Sequence, residues 1–220
     1  MAITTSKWMK AEELFSSNNY DGAGDMPVEV EGCAGAKILL VATHGTNHFS
    51  GVLESDKKPA DLFTGGLTRV LARESRVRCV FNRFRSMAIN PHIGYCEIDH
   101  RITELVRTEG VRIILDIHGA RDNPVFDVAI GTGALPLTAA QRRLTSTIAL
   151  RLCDAGWGVA INAPAYRAAK PVSIVSRHKT SVRGAAVQLE IARRLRTPQS
   201  KLALDFANDL ATVLKEFAAK

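Results

Sequence analysis

Two of the six histidines in this 220-residue chain stand in matching places. His44 ends the run KILLVATHG, and His118 ends VRIILDIHG. Each follows apolar residues of strand length and precedes a glycine, which lets the backbone turn sharply and leaves room beside the ring. Imidazoles aimed from neighbouring strand ends can share one ion at about 2.0–2.1 Å each. The competing reading is a pair of strand-end histidines hydrogen-bonded to loops.

A metal centre needs a further ligand and a base. Asp116 lies two residues before His118, on the same side of a strand, where it can orient an imidazole or support a loop. Asp61 can turn its carboxylate toward such a site or cap the helix that it opens. Glu54, between His44 and Asp61, is the competing ligand. Glu190 sits inside the apolar run AAVQLEIA, where a carboxylate is costly unless it is paired or faces a cavity. A carboxylate beside an activated water is the proton carrier that amide hydrolysis needs. The alternative is an edge strand with Gln188 and Glu190 in solvent. Arg121, three residues after His118, can stabilise an oxyanion. His178, in the polar run SRHKTSVRG with Arg183, can contact substrate or leaving group, or simply be a solvated loop residue. His92 and His100 read as surface residues. No GxSxG elbow accompanies the serines, which disfavours acyl-serine chemistry.

These residues require strands and helices in alternation to position them. Lys37–Thr43, Arg76–Phe81, Val111–Ile117, Val125–Ile130, Trp157–Ile161, Val172–Val175 and Ala186–Ile191 read as strands. Helices are expected over Asp61–Glu74, Glu97–Thr108, from an N-cap at Thr138 to Asp154 with Gly156 as its stop, and over Ser200–Phe217. Residues 1–35 read as an irregular leader with a helix around Lys7–Phe15. The pattern predicts a single domain over 1–220: an α/β three-layer sandwich with a mixed, mostly parallel central sheet. In such folds functional groups gather beyond the carboxyl ends of the strands.

Composition narrows the partners. No apolar run approaches the roughly 20 residues that span a bilayer, and the N-terminal residues lack signal-peptide features, so a cytoplasmic protein is expected. The net charge of +7 is spread along the chain, its densest cluster being Arg193, Arg194, Arg196 and Lys201. Aromatic residues make up 6% of the chain, which leaves few stacking platforms and disfavours nucleic acid, whereas a small anionic substrate suits a positive field. Cys33, Cys79, Cys96 and Cys153 form no CxxC pair and read as reduced, mostly buried thiols.

The motifs THGTNHFSG, NRFR, DIHGAR and VQLEIARRL, in that order, resemble the N-formylglutamate amidohydrolase family, and more distantly the aspartoacylase and zinc carboxypeptidase group. The resemblance runs from about Lys37 to Arg196. It implies a carboxypeptidase-like fold holding one zinc, with His44 and His118 as ligands, Asp61 as the acidic ligand and Glu190 as the catalytic glutamate. It further implies that Asn82 and Arg83 hold a substrate carboxylate and that Arg194 assists. The chain departs from the pattern in two places. Asn47 stands three residues after His44, where aspartoacylase-type chains have a glutamate, and His48 follows it, so Asp61, Glu54 and His48 all remain open as the second ligand. Ala192 replaces the asparagine of the Glu-Ile-Asn-Arg run, which points to a different substrate.

Together these readings predict a zinc-dependent hydrolase of amide bonds in a small N-acyl (N-formyl) amino acid or peptide-like carboxylate. Glu190 would move the proton and Arg121 would share the oxyanion. The rival is an inactive binding module of the same fold that recognises an acidic ligand or nucleic acid.

Overall fold

The computed structural model describes residues 2–22, 28–49, 57–83, 97–182 and 184–219. Glu54, His92, Cys96 and Arg183 lie outside them. In chain order the described elements are α1 (Thr5–Tyr20), β1 (Val28–Gly32), β2 (Ile38–Ala42), β3 (His48–Phe49), β4 (Lys57–Lys58), α2 (Thr64–Ser75), β5 (Arg78–Asn82) and α3 (Glu97–Thr108). There follow β6 (Ile113–Ala120), β7 (Val128–Gly131), α4 (Ala139–Asp154), β8 (Val159–Ile161), α5 (Ile174–His178), β9 (Ala185–Ala192) and α6 (Lys201–Ala218).

Seven of the described strands form one sheet in the order β1-β5-β2-β6-β9-β7-β8. The β5-β2, β2-β6, β6-β9 and β7-β8 pairs are parallel, while β1-β5 and β7-β9 are antiparallel. The expected mixed, mostly parallel sheet in an α/β sandwich is therefore present. Strand alternation decides what each face carries. Ile38, Leu40, Ala42, Leu115, Ile117, Val187, Leu189 and Ile191 enter one core with residues of α1, α2, α4 and α6. Leu39, Val41, Ile114 and Ala186 enter a second core with α3 and α5. Asp116, His118, Gln188 and Glu190 share the parity of that second set, but sit nearer the carboxyl ends of their strands.

The chain leaves β2 for β5 on one side and later returns to β6 on the other. The sheet therefore has its switch point between β2 and β6, where parallel α/β sheets open a crevice. Glu190 is on no edge, because β9 lies between β6 and β7.

Two expectations about the elements change. The described part of residues 1–35 is more regular than a leader, and the helix expected around Lys7–Phe15 is present and longer. α1 spans Thr5–Tyr20 with Thr4 as its cap, and β1 extends the sheet antiparallel to β5. Trp8 and Phe15 are fully buried, and the Phe15 ring meets Phe81 edge-on at 5.1 Å. A Cβ at Gly65 would come within 2.6 Å of the Phe15 ring, so α1 closes tightly on the start of α2. Phe15→Ala is expected to lower stability by about 3–5 kcal/mol through the cavity it leaves, measured by urea unfolding; a loss under about 1 kcal/mol would make α1 an appendage. The second change is Val172–Val175, which is not a strand. Pro171 precedes it, Ser173 caps a short helix by accepting from Ser176 N at 3.2 Å, and Ile174–His178 forms α5. A short apolar run does not by itself distinguish strand from helix.

Of the described cysteines Cys79 is buried, while Cys33 and Cys153 are exposed, against the expectation of mostly buried thiols. No helix among the described residues is long and apolar enough to cross a membrane.

Candidate active site

A cavity of about 510 Å³ opens at the carboxyl ends of β2, β6 and β9. One wall is formed by Thr43, His44, His48, Asp116, His118, Gln188 and Glu190. The register explains the grouping: His118 on β6 lies opposite Glu190 on β9, and Asp116 opposite Gln188.

The His44 and His118 rings meet edge-on with centroids 4.9 Å apart, so both histidines reach one place. His118 lies between two carboxylates, its Nε2 2.8 Å from Asp116 Oδ2 and its Nδ1 3.5 Å from Asp61 Oδ2. Asp116 also accepts from Thr43 Oγ1 at 3.3 Å. It thus holds the imidazole from behind, as a partner of a ligating histidine does. Asp61 accepts from the Gly119 N–H at 3.0 Å. Its carboxylate is free to do so because Glu12, reaching across from α1, takes the capping role at α2, accepting from Phe63 N at 3.0 Å and Gly66 N at 2.7 Å. Burial pushes the Glu12 carboxyl up to about 7, against its hydrogen bonds with Tyr20, Gly66 and Phe63.

His48 is the neighbour of His44, with Nδ1 atoms 3.1 Å apart. Asn47 is a brace and does not line the cavity. Its amide donates to Asn19 O and Asp21 Oδ1, its Oδ1 accepts from Ala60 N, and so it ties the His44 loop to the end of α1.

Electrostatics divide these groups. Burial, then His118 and His48, drive His44 well below its ordinary value, so it is neutral, the form that ligates a metal. Burial pulls His118 the same way, but Asp116 and Asp61 outweigh it and raise it well above its ordinary value. Burial raises the Asp61 carboxyl, yet hydrogen bonding and attraction to His118 bring it down to about 2. Burial, with Asp61 and Asp116 adding to it, raises Glu190; His118 and the Gln188 amide, 2.6 Å away, oppose this. One imidazole thus faces Asp61, Asp116 and Glu190.

This donor set suits zinc by type. The separations of 3.1 Å for His44–His48 and 3.5 Å for His118–Asp61 bracket the roughly 3.3–3.4 Å between ligand atoms on a tetrahedral ion with bonds of about 2.0–2.1 Å. Among the described residues, no three His, Cys, Asp or Glu side chains are set to hold a metal ion together. The donors stand as two pairs.

The opposite wall comes from the segment between β8 and the end of α5, and its charged members are Arg167, Lys170 and Arg177. Arg177 Nη1 donates to Asp99 Oδ2 at 2.7 Å, and His178 Nε2 lies 2.6 Å from Asp99 Oδ1. Burial raises the Asp99 carboxyl, but these two partners outweigh it and lower it. This cationic wall carries no local sequence signal. What marks it is only a cluster of Arg, Lys and Ser between two apolar stretches.

Other expected site residues lie outside the cavity lining. Arg121 is exposed, one residue beyond β6. Asn82 is buried and donates to Thr43 O at 2.7 Å, bracing the end of β2. Arg83 pairs with Glu29 at 3.2 Å. His178 is a buried helix residue held between Asp99 and Ser181, not a solvated loop residue. Arg194 is occupied by Asp122, Asp127 and the carbonyls of Asn123 and Phe126. The exposed His100 lies on α3.

No family model matches the chain, and no curated protein does. Solved structures do. N-formylglutamate amidohydrolase from Ralstonia eutropha JMP134 superposes with a TM-score of 0.57 at 15% identity, covering 88% of this chain and 97% of that one. A bacteriophage poly-gamma-glutamate hydrolase gives 0.53 at 16% identity, covering 99% of each chain. A metallo-carboxypeptidase from Burkholderia cenocepacia gives 0.51 at 14% identity, covering 86% of this chain and 60% of that longer one. The α/β fold of this chain is the one these hydrolases share, in line with the resemblance carried by its motifs.

Proposed function

We propose that the protein is a zinc-dependent amidohydrolase cleaving the amide bond of a small N-acyl amino acid or peptide-like carboxylate, such as an N-formyl amino acid. The observation that carries this reading is the meeting of His44 and His118 at the sheet's switch point, with Asp61 beside His118 and Glu190 on the adjacent strand. His44, His118 and Asp61 would hold the ion, with His48 as a further donor. When bound, the ion supplies Lewis acidity, acidifying a water and polarising an amide carbonyl.

The chain's own groups do the rest. Glu190 would accept the proton on its carboxylate, which the Gln188 amide steadies by donating to Oε1. Its carboxyl, raised by burial, holds a proton more readily than an ordinary glutamate, which suits it to return that proton to a leaving amine. Asp116 keeps the His118 ring in one orientation. Arg177, Lys170 and Arg167 face this cluster across the cavity and would bind the substrate carboxylate, the role the motifs suggested for Arg83. Asp99 holds Arg177 in place for it.

The test is metal content together with a hydrolysis screen over N-acyl amino acids. One zinc per chain and release of free amine are expected. Arg177→Gln should then raise KM about 10- to 100-fold with kcat nearly unchanged, from the loss of about 1.5–3 kcal/mol of charge-assisted hydrogen bonding. A KM that does not move would clear Arg177 of substrate binding.

A second reading draws on the same cationic wall and on donors that stand as pairs: a binding module for an acidic ligand. A protein that takes up no divalent metal yet binds N-acyl amino acids would favour it.

A further inference from the structure

The candidate centre takes its groups from three separate backbones: Asp61 from the turn before α2, His118 from β6 and Glu190 from β9. A single side chain behind the centre touches all three. Arg196 follows a short 3-10 turn after β9 and is 5% exposed. Its Nε donates to Ile191 O at 2.9 Å, its Nη2 to Ala120 O at 3.0 Å and its Nη1 to Leu62 O. Ile191 follows Glu190, Leu62 follows Asp61, and Ala120 is two residues past His118. The residue between, Gly119, lies against the guanidinium: a Cβ there would sit 2.5 Å from the guanidinium carbon. Gly119 also donates its N–H to Asp61 at 3.0 Å. The missing side chain at Gly119 is therefore the seat of the arginine, while the N–H of the same residue holds Asp61 beside His118.

All three acceptors are neutral carbonyls, and the carboxylates near the buried cation include Asp61 and Glu190 themselves. A planar fork with five fixed N–H donors can serve three carbonyls from three directions, while an ammonium on a flexible stem cannot hold the same directions.

We propose that Arg196 is a positioning residue that sets the mutual spacing of Asp61, His118 and Glu190 through their own main chains, touching neither substrate nor ion. This rests on the reading of the site as a metal centre. Partners of ligands that are lost in this way typically cost 10- to 100-fold in metal affinity.

The experiment compares wild type with Arg196→Lys, and with Gly119→Ala, which keeps the arginine but fills its seat. Two quantities are read: Zn2+ affinity by competition with a chromophoric chelator, and amide hydrogen exchange of the metal-free chains. Both variants are expected to bind Zn2+ at least tenfold more weakly. Exchange at the residue 119 amide in Arg196→Lys should rise at least tenfold more than at the β6 interior amides of Ile114 and Leu115. Unchanged affinity, or exchange that accelerates uniformly along β6, would reduce Arg196 to general stabilisation and overturn the proposal. Wild type that takes up no Zn2+ while residue 119 still responds selectively removes the metal reading and leaves the positioning role standing.

Discussion

His118→Ala is expected to bind zinc about 10²–10³-fold more weakly than the unaltered chain. A protein site holds zinc with roughly 10–16 kcal/mol spread over about four ligands, so one imidazole accounts for roughly 2.5–4 kcal/mol. The same substitution is expected to destabilise the metal-free protein at neutral pH by about 3–5 kcal/mol, because it strands a buried carboxylate. Asp116 is 1% exposed and has His118 as its charged partner at 2.8 Å, with Asp61 on the ring's other side. His44→Ala provides the contrast. His44 is driven well below its ordinary value, its ring packs against those of His48 and His118, and the pull of Asp61 on it is outweighed, so its loss should weaken zinc to a similar degree with much less effect on stability. Titration calorimetry with zinc and urea unfolding of the metal-free chains measure both. A His118→Ala protein that still holds one zinc per chain at wild-type affinity would falsify the metal centre as drawn.

Glu190→Gln is expected to lower kcat by about 10²–10⁴-fold while zinc stays bound, the range that a positioned acid–base group contributes. The glutamine keeps the volume and can still accept from the Gln188 amide, so the change isolates the proton-carrying role. The pH dependence gives a second signature. The working base is the carboxylate, and its folded value is raised, so kcat/KM in the wild type should fall as pH drops through a value above 4.5. The variant's residual rate should lack that limb. The sign for stability runs the other way. A carboxyl whose folded value is raised binds its proton more tightly when folded, so the fold loses stability as pH rises through that range. Removing this group should therefore leave the variant at least as stable as wild type at pH 7, the trade between stability and activity expected of a catalytic carboxylate. Undiminished turnover would eliminate Glu190 as the base.

Much of this centre was legible in the linear chain. The apolar runs before His44 and His118 marked two buried strands, although β6 runs on through His118 and Gly119 to Ala120 instead of turning there, and the period of two placed Asp116 with His118 and Gln188 with Glu190. A glutamate inside an apolar run called for a partner, a cavity or an edge strand, because burial without one of these is too costly. These are local signals, set by burial and pleat, and they carried over into β2, β6 and β9.

What the chain alone left open depended on contacts between distant segments. Whether Asp61 capped α2 or faced His118 was decided by Glu12, which takes the cap from 54 residues away in sequence. Asn47 became a brace because the end of α1 lies beside it, and the chain marked a helix there without marking what it packs against. Arg83 and Arg194 matched family motifs, yet Glu29 and Asp127 engage them, while Arg177 reaches the cavity on the strength of a carboxylate in α3. The sequence by itself determined which residues must be buried and on which face of their strands. Only the tertiary structure decided which polar groups meet, because a side chain's partner is chosen by the order of strands in the sheet and the packing of helices on it, and neither leaves a periodic trace in the residues.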